Sequence, residues 1–147
     1  MAFIRASGTS NIIPMPSAAS TVLSANGLVL QTAGVLAKAA STDSLISGIC
    51  LEERATTDAD YATARDVLVD VLDENATIEG DVTGTLTAAM EGKFLKLSST
   101  AGLVADAATA TDTPATGLVL QLVQYISATK GIFKVNALKQ HQVAVLA

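Results

Sequence analysis

Short aliphatic segments, each broken off by turn residues, set the terms for this chain. Residues 27–31 (Gly-Leu-Val-Leu-Gln), 46–51 (Ile-Ser-Gly-Ile-Cys-Leu), 67–72 (Val-Leu-Val-Asp-Val-Leu) and 92–97 (Gly-Lys-Phe-Leu-Lys-Leu) are such segments, and Gly, Asp, Asn, Ser and Thr fill the gaps. Short strands at a spacing of roughly 8–12 residues predict an all-β sandwich or barrel. Val67, Val69 and Val71 alternate as one face of a strand does. Closing the strands into a barrel would leave no exposed edges.

The segment Gly-Leu-Val-Leu-Gln at 27–31 recurs at 117–121. Each copy leads through a turn into a second apolar segment. The pattern predicts hairpins with strands near 27–31 and 34–39, and near 117–126 and 131–135. Ala33-Gly34 closes the first turn and Lys130-Gly131 the second, because glycine supplies positive φ. The recurrence reads either as two related halves or as chance in an aliphatic-rich chain.

Between the hairpins, strands are expected at 46–51, 67–72, 76–78, 82–86, 92–97 and 103–105. Turns are expected at 73–75, 79–81 (Glu-Gly-Asp) and 98–102. Residues 41–44 and 106–116 read as polar loops, and 55–65 as a loop or a turn of helix. Residues 27–136 thus form the expected barrel domain. Residues 137–147 form a C-terminal tail, helical or a last strand.

Residues 1–26 read as an extended N-terminal arm. Pro14 and Pro16 bar regular helix and sheet interior. Yet Phe3, Ile4, Ile12, Ile13 and Met15 are larger and more apolar than a disordered tail usually carries. Such a segment either docks on something, its own barrel or a neighbour, or is a loosely ordered tail.

Composition narrows the chemistry. The 147 residues include 26 Ala and 17 Thr, no Trp, and only 3% aromatics. A chain of this length buries roughly 70% of its unfolded surface, so the core must be built from small aliphatics. The net charge is −5, and the nine Lys and Arg are scattered. Nucleic-acid binding usually leaves a basic footprint, so no nucleic-acid partner is expected. No apolar run approaches the roughly 18–20 residues of a membrane span, and the N-terminus lacks a secretory core. Neither membrane partner nor export is expected, and synthesis is assigned to a cytoplasm.

Catalytic groups are few. His141, the one histidine, lies between Gln140 and Gln142, a setting typical of a solvated residue. Cys50, the one cysteine, lies between Ile49 and Leu51 and reads as a buried small hydrophobe. One His and one Cys cannot supply a zinc site. Carboxylates for a hard cation would come from Asp58 and Asp60, or from Asp70, Asp73 and Glu74, but the spacing does not match an EF-hand. No phosphate-binding loop is present: Gly92-Lys93 lacks the flanking residues. The expectation is no enzyme, no cofactor and no metal centre.

The order of these motifs resembles the small capsid decoration (cement) proteins of tailed bacteriophages. The likeness runs from Gly27-Leu28-Val29 through Gly34 to Ala39. It continues through Ile46-Ser47-Gly48-Ile49-Cys50-Leu51, Glu79-Gly80-Asp81-Val82 and Ala101-Gly102-Leu103-Val104 to the last hairpin, covering about residues 20–136. The resemblance implies a β-barrel or β-tulip core and a place on the outer capsid surface of a virion. It also implies assembly as a homotrimer that bridges neighbouring copies of the major capsid protein. It assigns capsid contact to the arm, with Phe3, Ile4, Arg5, Ile12, Ile13 and Met15 as candidates, and on that reading deleting residues 1–16 abolishes shell binding but leaves the barrel folded. The alternative from another class is a receptor- or glycan-binding head-fibre or adhesin module, which would use Tyr61, Tyr125, Phe3, Phe94 or Phe133 as platforms.

Overall fold

Every long element among the described residues is a strand. The computed structural model describes residues 3–40, 46–73, 75–98, 104–113 and 118–135. Among them the strands are β1 (Phe3–Ser7), β2 (Ile12–Ser17), β3 (Leu28–Thr32), β4 (Val35–Lys38), β5 (Gly48–Cys50), β6 (Arg65–Val71), β7 (Thr77–Thr83), β8 (Phe94–Leu97), β9 (Ala105–Thr111), β10 (Leu120–Ser127) and β11 (Lys130–Val135). A single 3₁₀ turn, Ala88–Met90, stands beside them among the described residues.

One sheet runs β1-β7-β11-β10-β8-β9, and β9 returns to pair with β7. Strands β7, β11, β10, β8 and β9 therefore close into a five-stranded barrel. The closing pair is parallel and short, Val82 opposite Ala105 and Thr83 opposite Asp106. Strand β7 is forked. Its first half pairs with β1, Phe3 opposite Gly80 and Ile4 opposite Glu79, while its last two residues pair with β9. The second sheet runs β2-β6-β5-β3-β4, and its end strands β2 and β4 curl into contact.

Alternation along the strands builds two cores. The larger fills the barrel with Phe3, Ile78, Leu95, Leu120 and Phe133, and takes in Leu28 and Ile49 from the second sheet and Leu72 just past the end of β6. The smaller lies on the other face of that sheet, where Met15, Leu23, Val29, Leu36, Cys50, Val67 and Val69 meet.

The first hairpin forms on the expected turn. Ala33 and Gly34 both have positive φ, 51° and 86°, a geometry whose twist matches that of the flanking strands. The second hairpin turns two residues earlier than expected, at Ala128 and Thr129, with Ser127 opposite Lys130. Gly131 serves packing instead: a β-carbon there would press on Leu122 and Leu86. The two repeated segments enter different sheets: β3 pairs with β4 and β5, whereas β10 pairs with β11 and β8.

Two other expectations are corrected. Residues 79–81 do not turn but lie within β7, where Gly80 leaves room for the Phe3 ring. Much of the expected 106–116 loop is strand β9. Its small residues fit between neighbours on both sides. Thr109 Oγ1 takes a hydrogen bond from the Lys96 amide, 2.9 Å, and donates to the Asp106 carbonyl, 2.6 Å. Residues 55–64 form a loop of turns, one of the two readings expected there, and Arg65 already opens β6. The expected loop at 41–44, part of the turns at 73–75 and 98–102, the start of the strand at 103–105, Gly117 and the 137–147 tail lie outside the described residues.

Candidate functional surface

The candidate contact residues of the N-terminal segment divide by strand alternation. On β1, Phe3 points inward and is fully buried. Its ring covers Gly80 and meets Phe133 edge-on, with centroids 6.4 Å apart at 69°. Met15 is buried in the second core, opposite Val67 on β6. These two side chains are committed to the protein's own packing and are not available to a partner. The segment assigned as an arm thus docks on its own body, as a strand of each sheet.

Arg5 is also engaged internally. Its Nε donates to Asp70 Oδ2 at 2.9 Å and its Nη2 to Asp70 Oδ1 at 2.6 Å. Nη2 also donates to the Val71 carbonyl at 3.0 Å. The amide of Asn11 donates to Asp70 Oδ1 at 3.2 Å. This two-pronged ion pair, with side-chain exposures of only 12% and 8%, clasps the first sheet to the second. The hydrogen bonds from Arg5 hold the Asp70 carboxyl below the usual aspartate range, and Asp70 in turn raises the guanidinium.

Ile4, Ile12 and Ile13 remain at the surface, 50%, 52% and 37% exposed. Ile4 lies on the outer face of the barrel sheet, opposite Glu79. It borders a shallow depression of about 120 Å³ lined by Glu79, Gly80, Asp81 and Lys130. Ile12 and Pro14 share one face of β2, while Ile13 lies on the Met15 face. β2 accepts Pro14 and Pro16 because it is an end strand, where a missing N–H breaks no ladder.

The loop between β5 and β6 is organised by a residue that sequence reasoning passed over. Arg54 is fully buried. Its Nη1 donates to Ser17 Oγ at 2.6 Å and the Ala18 carbonyl at 2.9 Å. Its Nη2 donates to the carbonyls of Asp60, Tyr61 and Thr63 at 3.1, 3.2 and 2.7 Å, leaving Nε without a partner. Nearby, Arg65 Nη1 donates to Glu52 Oε2 at 2.9 Å. Its Nε lies 2.9 Å from Asp60 Oδ2, too oblique for a hydrogen bond. The bond from Arg65 holds the Glu52 carboxyl below its ordinary range.

The candidate reactive groups are dispersed. Asp58 accepts from the Ala55 amide at 2.8 Å. Asp73 accepts from the amides of Asn75 and Ala76 at 2.9 and 3.0 Å, and so builds a turn. Among the described residues, no three His, Cys, Asp or Glu side chains converge as metal ligands. Cys50 is buried, its thiol donates to the Glu52 carbonyl at 3.0 Å, and burial pushes its pKa up. It is a neutral packing group. His141 and Glu74 lie outside the described residues. Among those residues no helix is long and apolar enough to cross a membrane.

No family model, no curated protein and no solved structure matches this chain. The likeness to capsid decoration proteins rests on the motifs quoted above.

Proposed function

We propose that this protein is a structural component of a phage particle. It decorates the outer capsid surface as a homotrimer and ties neighbouring major capsid subunits together. The observation that carries this reading is the placement of Ile4 and Ile12, both half-exposed, on strands built into the two sheets. Rigid strands present these side chains with little ordering cost on binding. Several modest contacts of this kind, linked in one assembly, gain roughly 10²–10⁴ over a single contact.

The glycan-binding alternative draws less support. Phe3 and Phe133 are fully buried, and Tyr125 packs against the barrel core. The Tyr61 hydroxyl donates to the Ser20 carbonyl at 3.0 Å. That leaves partly buried Phe94, where a sugar platform usually needs an open ring.

Quantitative mass spectrometry of purified source particles tests the proposal. A ratio near one copy per major capsid subunit is expected. A few copies per particle would assign the chain to a fibre or vertex, and absence from particles would end the proposal.

A further inference from the structure

The face of the second sheet that packs on the barrel does not stop where the barrel stops. Ile49 and Asp70 stand opposite each other and are buried there. Two residues back along β6, the same face carries Leu68, directly opposite Pro14 on β2. On the other side of Leu68 runs Leu51, whose amide donates to the Leu68 carbonyl at 3.0 Å. Leu51 and Leu68 are 37% and 41% exposed, and Pro14 and Ile12 are exposed beside them. Apolar side chains from three adjacent chain segments therefore form one outward patch. Scattered exposed aliphatics are ordinary, whereas contiguous ones mark interaction sites. The outer barrel face offers less, because Glu79 separates Ile4 from Ile132.

The rim of the patch is acidic. Asp66 follows Leu68 on the same face and is exposed, as is Glu53. Of the other carboxylates in residues 51–66, Glu52 and Asp60 face Arg65 and Asp58 accepts from the Ala55 amide, and the same stretch holds two arginines, Arg54 and Arg65. Of those arginines, Arg54 is buried and Arg65 is paired with Glu52 and Asp60. A second copy of this chain would bring like charge to the patch. An added strand would find no donors at Pro14 and Pro16 on the outer edge of β2. Anionic lipid would be repelled.

The geometry points to the Ile12–Pro14–Leu51–Leu68 patch as a docking surface for a different protein, one that presents aliphatic side chains ringed by lysine or arginine. This inference rests on the decoration reading for the source of that partner, the shell; the chemistry of the patch is its own support.

A titration followed by amide NMR tests it. The probe is a synthetic peptide of alternating leucine and lysine; the controls alternate leucine with glutamate and serine with lysine. The expected result is a set of shifts confined to Ile12, Leu51, Asp66 and Leu68 with the first peptide alone, weakened at least tenfold by Leu68→Lys. Shifts elsewhere, an equal response to either control, or no effect of Leu68→Lys would overturn the inference. Co-sedimentation with source particles stripped of this protein separates the two readings. Shell binding that survives Leu68→Lys and Asp66→Lys overturns the patch and leaves decoration standing. Failure of the wild-type chain to bind shells, with peptide shifts mapped to the patch, ends decoration and leaves the patch standing.

Discussion

Asp70 is the residue on which the join between the sheets depends. Its carboxylate receives two bonds from Arg5 and one from the Asn11 amide. Replacing it with Asn leaves Arg5 without its counter-charge in a mostly buried site, and breaking such a pair costs about 3–5 kcal/mol. The pH dependence has a definite sign. Asp70 titrates lower in the fold than in the unfolded chain, where an aspartate sits at about 3.9. Its contribution is complete above that value and is lost as pH falls through the lower, folded value. Urea denaturation of wild type and Asp70→Asn at pH 7 and at stepwise lower pH should show a gap that narrows in acid. A gap independent of pH would deny the pair this role. Gly80 is the second decisive position. A β-carbon there would overlap the Phe3 ring, so Gly80→Ala should cost about 1–3 kcal/mol through overpacking. Gly80→Ala combined with Phe3→Leu should cost less than the two separate changes together, which a double-mutant cycle would show.

At the scale of elements, the N-terminal strands are part of the fold before they are part of any interface. Deleting residues 1–16 removes Phe3 and Met15 from two cores, and large-to-small changes at such sites cost roughly 2–5 kcal/mol each. A domain's whole stability is only about 5–15 kcal/mol. Calorimetry of the truncated protein should therefore show a broad or missing transition, where the arm reading expects an intact barrel. Arg54 plays the same part for the 52–64 loop. Arg54→Met removes the guanidinium from the Ala18 and Thr63 carbonyls, while those of Asp60 and Tyr61 keep the amides of Thr63 and Ser20; it should cost on the order of 2–5 kcal/mol, with hydrogen exchange in residues 55–64 rising first. The hairpin at Ala33-Gly34 and the alternation of Val67 and Val69 were legible in the sequence because local turn and pleat preferences agree with the fold there. Glu79-Gly80-Asp81 was not, because glycine that makes room for a distant ring looks the same as glycine that turns the chain. Phe3 and Arg5 carried apolar and charged character but no sign of their partners, 65 to 77 positions away in Asp70 and Gly80. Arg54 sits in a run of charges that reads as solvated, and nothing local distinguishes it. The sequence offers Phe3, Arg5 and Met15 as contacts on the same footing as the isoleucines, and only strand pairing separates exposed Ile4 and Ile12 from buried Phe3 and Met15.

For the whole molecule, a closed barrel and a curled sheet share one core and are clasped at Arg5 and Asp70. The result is a packed body with apolar residues at its surface. The most direct test of its proposed work changes those residues and nothing inside. The variant carrying Ile4→Ser, Ile12→Ser and Ile13→Ser should be mixed with source particles stripped of this protein and its co-sedimentation compared with wild type. The account predicts that wild type binds, and that the variant keeps its melting transition while its binding falls at least tenfold. Wild-type-like binding by the folded variant, or no binding by wild type, would contradict it.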